Sequence, residues 1–112
     1  MNNIALFVKD FQKGTEISDR LTTAEMNVTF AESIYDIPNQ CKVGIIDLDD
    51  EKLGNVQFVS ELKTKTQLTL LGYIGSFHKE TRDKLKTAGC DMVIPKASIV
   101  KNVQSLVQEL VK

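Results

Sequence analysis

Five short apolar runs, separated by stretches of helical period, constrain this chain more than any other feature. Ile4–Val8, Asn27–Ala31, Val43–Leu48, Leu68–Ile74 and Met92–Ile94 are rich in β-branched or large apolar residues, and several show no polar alternation. Strands buried on both faces of a parallel sheet read this way. Between the runs, Ile17 and Leu21 are spaced i, i+4, and Leu53, Val56, Val59 and Leu62 are spaced i, i+3. Gly89 follows Leu85 and Ala88 as a helix stop just before the last strand. Val103, Leu106, Val107 and Leu110 form one stripe of a C-terminal helix, with Ser98 as its expected N-cap. The repeated strand–helix rhythm predicts an open parallel sheet with helices on both faces.

One unit is short. Eleven residues separate Ala31 from Val43, and Pro38 sits among them. Proline is a poor helix-interior residue and biases Ile37 away from helix, so Glu32–Gln40 is expected to form a single helical turn or an irregular loop. The 112 residues make one domain, 1–112, with no internal repeat, low-complexity tract or linker.

Composition excludes several classes of function. The formal net charge is −1, with 14 basic and 15 acidic residues, so no long-range attraction to nucleic acid or to an anionic membrane is expected. No apolar run approaches the roughly 20 residues of a membrane span. Met1-Asn2-Asn3 does not read as the start of a secretory leader. Cys41 and Cys90 lack C-x-x-C spacing and, with one histidine, make no zinc site; both read as buried or half-buried small residues. A reduced, cytoplasmic chain is expected. His78 reads as an exposed residue opening the fourth helix.

In open parallel sheets, chemistry collects at the carboxyl ends of the strands. Those ends carry Lys9-Asp10-Phe11, Asp47-Leu48-Asp49-Asp50, Gly75-Ser76 and Pro95-Lys96-Ala97-Ser98. With the first and third strands adjacent, Asp10 and Asp47 converge and Lys96 lies nearby. Two carboxylates and an ammonium group suit a divalent cation and a phosphoryl group. Asp49, Asp50 and Glu51 read as a solvated acidic turn opening a helix.

Three stretches resemble the receiver domain of two-component response regulators. They are Phe7-Val8-Lys9-Asp10-Phe11, Val43-Gly44-Ile45-Ile46-Asp47-Leu48 and Ala88-Gly89-Cys90-Asp91-Met92-Val93-Ile94-Pro95-Lys96. The resemblance covers the whole chain in the right order. It implies a flavodoxin-like (βα)5 receiver fold; the alternation itself places strands near 3–9, 27–32, 43–47, 68–74 and 92–94 in the order 2-1-3-4-5, with a shortened second helix. The resemblance implies Asp47 as phospho-acceptor, Asp10 and Asp47 as Mg²⁺-binding acids, and Lys96 as the lysine contacting the phosphoryl group. The partner it implies is a histidine kinase or another signalling protein.

The departures are specific. Lys9 stands where the first acid belongs, which removes a carboxylate from the Mg²⁺ shell and brings a cation able to pair with Asp47. The hydroxyl residue closing the fourth strand falls near Ile74, and Ser76 is the nearest hydroxyl. Ala97 follows the lysine where proline is usual, while Pro95 precedes it. These departures define an alternative, a pseudo-receiver that is not phosphorylated and acts only by contact. A remoter alternative takes Asp47 and Asp49 as the Asp-x-Asp pair of a haloacid-dehalogenase-type phosphatase; otherwise no enzyme is expected. Contact with a partner, or with a second copy, is expected at the face of the fourth helix, fifth strand and fifth helix. Lys79, Arg82, Lys86, Lys101 and Asn102 would form its rim, and Ile99 and Val100 its apolar anchors.

Overall fold

The computed structural model describes residues 2–76 and 78–111. Met1, Phe77 and Lys112 lie outside the described residues, and so do the sequence readings that fall on them. Strands β1 (Asn3–Phe7), β2 (Asn27–Phe30), β3 (Cys41–Asp47), β4 (Thr69–Ile74) and β5 (Met92–Pro95) alternate with α1 (Phe11–Thr23), α2 (Val56–Lys65), α3 (Lys79–Ala88) and α4 (Lys96–Leu110). The strands form one sheet in the order β2-β1-β3-β4-β5, and every neighbouring pair is parallel. This is the flavodoxin-like order expected from the sequence.

The apolar runs explain the layering. Within the central strands successive side chains alternate between two cores. Ile4, Leu6, Val43, Ile45, Leu71 and Tyr73 face α1 and α4, where Ile17, Leu21, Ile99 and Val103 meet them. Ala5, Phe7, Ile46, Leu70 and Ile74 face α2 and α3, against Val59, Leu62 and Leu85. The Phe7 and Phe58 rings meet edge-on at 5.6 Å.

The unit between β2 and β3 is short, as Pro38 requires. A single 3₁₀ turn, Ile34–Asp36, stands where a helix would be, closed by a capping box between Ser33 and Asp36. Gly89 ends α3 at φ 132°, a conformation suited to glycine.

Three sequence expectations are corrected. The last helix does not start at Ser98: Pro95, at φ −64°, is already its N-cap, and Ser98 lies in the first turn. The acidic turn does not open α2 directly. Asp50 Oδ1 accepts the Lys52 and Leu53 amides at 2.9 and 3.0 Å, which tightens a turn, and α2 begins only at Val56, capped by Asn55 Oδ1. Ile99 is fully buried and Val100 packs half-buried on the same core, so neither is an exposed anchor. The stripe of α4 needs that side to cover Ile45 and Leu71. No helix among the described residues is long and apolar enough to cross a membrane.

Candidate functional site

The carboxyl ends of β1, β3, β4 and β5 bring the chemistry-bearing residues to one edge. Asp47 is the last residue of β3 and only 7% exposed. Its Oδ1 accepts the Asp49 amide at 3.0 Å. Burial raises its pKa above the ordinary carboxylate value, and the Asp49 and Asp50 carboxylates add to the rise. The Asp49 amide and the Lys96 ammonium oppose it. Lys96, half-buried in the first turn of α4, acts on Asp47 through space, since no ion pair joins the two among the described residues.

Asp10 has a different occupation. It is exposed, and its Oδ1 caps α1 by accepting the Lys13 amide at 3.1 Å. Lys9 is exposed and lines a depression with Val8, Phe11 and Phe30. No ion pair joins Lys9 to Asp47 among the described residues, and the charges acting on Asp47 are Asp49, Lys96 and Asp50. Val8, buried, and Lys9 also line a second depression with Phe30, Ala31, Glu32 and Asp36.

A hydroxyl beside Asp47 belongs to Tyr73, a residue the sequence reading passed over. Asp47 and Tyr73 are direct partners across β3 and β4, and the Leu48 amide donates to the Tyr73 carbonyl at 2.9 Å. Tyr73 is fully buried. Burial, then the negative charges of Asp47, Asp10 and Asp49, push its phenol well above the usual tyrosine range. Asp47 is close enough to help hold the phenol proton, yet the two do not meet normal hydrogen-bond geometry, and the phenol oxygen is sealed from solvent without a partner. Ser76, in contrast, is exposed in the bend beyond β4. Tyr73 has one signal in the sequence: with Thr69 it is one of two hydroxyl residues in the run Leu68–Ile74, and the one nearer its carboxyl end.

Asp49 is the second residue with an unexpected role. Its carboxylate accepts the Gly75 amide through both oxygens, at 3.1 and 2.9 Å. With Asp10 capping α1 and Asp49 engaged at Gly75, the donor set is thin. Among the described residues no three His, Cys, Asp or Glu side chains stand together as a metal-binding group. Mg²⁺ takes one or two carboxylates with waters completing an octahedron, so a site here would rest on Asp47 and on oxygens of Asp10 or Asp49 that already serve backbone amides. Cys41 and Cys90 are free thiols. Burial raises both thiols, Cys90 to about 11, and their Sγ atoms lie against backbone carbonyls.

No family model and no curated protein sequence matches the chain. Solved structures do. A two-component response regulator from Clostridium difficile superposes with a TM-score of 0.87 at 9% identity, covering 99% of this chain and 96% of that one. An orphan response regulator of H. pylori gives a TM-score of 0.83 at 20% identity, covering 99% and 97%. A CheY-like receiver domain protein from Methanospirillum hungatei gives 0.81 at 16% identity, covering 97% and 92%. The chain therefore has the receiver-domain fold over nearly its whole length.

Proposed function

We propose that this protein is a receiver-fold signalling module that works by contact with a protein partner, a histidine kinase or another signalling protein, and that Asp47 is not served by Mg²⁺. One observation carries the reading: the carboxylates that would complete a metal shell around Asp47 are engaged elsewhere, Asp10 as the α1 cap and Asp49 at the Gly75 amide. An aspartate without a divalent cation beside it is a poorer acceptor for a dianionic phosphoryl group, because Lys96 alone is left to offset the charge that develops in transfer.

The α3–β5–α4 face expected to meet a partner keeps exposed lysines on its rim but not the apolar anchors expected on it. Lys79, Lys86 and Lys101 are exposed at α3 and α4, but Ile99 belongs to the core. Phe11, 87% exposed, and Phe30, 54% exposed, supply apolar contact area at the opposite corner, beside Lys9.

A second reading keeps Asp47 as phospho-acceptor, supported by its burial at the end of β3 within the field of Lys96. The phosphatase reading has less support: Asp49, its acid–base residue, is hydrogen-bonded to Gly75. The test is incubation with Mg²⁺ and acetyl phosphate, or beryllofluoride, followed by intact mass and amide shifts. The contact reading expects no phosphoryl mass gain. A gain that disappears in Asp47→Asn would establish the second reading, and turnover of a generic phosphate monoester the third.

A further inference from the structure

Asp49 joins two loops that the sheet leaves separate. It follows β3, whereas Gly75 opens the loop from β4 to α3, 26 positions later. The Gly75 amide reaches both Asp49 oxygens, at 3.1 and 2.9 Å, a charge-assisted bond and therefore stronger than a neutral one. Gly75 makes room for it: a Cβ at that position would stand 2.9 Å from Asp49 Oδ2. On the other side, the Asp49 amide donates to Asp47 Oδ1 at 3.0 Å. A continuous path of hydrogen bonds thus runs from the end of β3 to the loop that leads into α3. At the far end of that loop His78 caps α3 without any side-chain bond, so the helix start has no side-chain cap of its own to position it.

We infer that Asp49 is a carboxylate latch that positions the β4–α3 loop, and with it the start of α3, without any group attached to Asp47. This deepens the contact-module reading and rests on it in one respect, that α3 contributes to the contacting surface. An oxyanion arriving beside Asp47 meets a Gly75 amide already engaged and a carboxylate that repels it. The loop therefore takes its position from Asp49, and Asp47 contributes only a hydrogen-bond acceptor to the Asp49 amide.

Amide hydrogen exchange and ¹⁵N–¹H spectra of the full chain test this, with Asp49→Ala, Asp49→Asn, Gly75→Ala and Asp47→Asn compared with wild type. In Asp49→Ala the amide at position 75 is expected to exchange about tenfold faster or more, and the amides of Ser76 and of residues 78–82 to shift. Asp49→Asn, which keeps one acceptor oxygen, should fall between that variant and wild type. Gly75→Ala displaces the carboxylate without removing its charge and should shift the same amides, which keeps the inference testable if Asp49→Ala fails to fold. Asp47→Asn retains an acceptor oxygen and should leave the amides of 78–82 in place. The inference is overturned if Asp49→Ala and Gly75→Ala leave these signals unchanged, or if Asp47→Asn moves them as far. None of these readouts depends on phosphorylation, so the phosphodonor result stands apart from them.

Discussion

Asp47 and Tyr73 show how two residues at one strand end can oppose each other's comfort. A buried carboxylate whose folded pKa lies above its unfolded value binds protons more readily in the native state, so stability falls as pH rises from the unfolded to the folded pKa and stays lower above it. Asp47→Asn keeps an oxygen for the Asp49 amide and removes the charge. It is expected to stabilise the fold at neutral pH, within the ordinary range of about 0.5–3 kcal/mol for single substitutions, and the gain should vanish below the ordinary carboxylate pKa. Urea unfolding at neutral and acid pH reads this directly; a loss at neutral pH would mean that the carboxylate is held by more than the Asp49 amide. Tyr73→Phe removes a sealed oxygen that has no hydrogen-bond partner, so stability should stay level or rise by about 1 kcal/mol. A fall of more than that amount would show a hydrogen bond to Asp47 in solution.

Each element bears the mark of a local rule, and where sequence reading went astray two rules competed. The 3₁₀ turn at Ile34–Asp36 was legible because Pro38 and an eleven-residue span leave no room for a helix. The start of α4 was not, because Ser98 has the chemistry of a cap while Pro95 has the backbone angle of one, and the backbone prevailed. The β3–α2 connection is a further case. Gly54 there has an unremarkable place in the sequence, yet a Cβ on it would lie 2.2 Å from the Leu48 carbonyl oxygen, a backbone atom that cannot swing aside. Gly54→Ala is expected to cost more than about 2 kcal/mol, as overpacking against rigid backbone does. In the same connection Asn55→Ala removes the 2.7 Å bond to the Phe58 amide and should cost about 1 kcal/mol. Thermal unfolding of the two variants should rank them in that order, and a reversed order would place the strain of the turn at the cap.

At the scale of the whole molecule, the strand order and both faces of the sheet were legible from five apolar runs, because burial on both sides leaves a continuous hydrophobic signature. The position of Asp47 at the end of β3 was legible for the same reason. The partners of Asp47 were not. Tyr73 reaches it only through the β3–β4 register, and Asp49 reaches Gly75 across 26 residues, so both depend on tertiary placement that no spacing in the chain announces. Lys9, beside the Asp10 that follows β1, lines a depression with Phe11 and Phe30. The result is a receiver fold whose acidic edge is used for caps and ties between loops. Titration of the full chain with Mg²⁺, followed by the amide shifts of Asp10, Asp47 and Asp49, tests this most directly. The expected result is no saturable change below about 1 mM Mg²⁺. Saturation at about tens of micromolar, centred on these three amides, would contradict it and return Asp47 to the role of a metal-assisted phospho-acceptor.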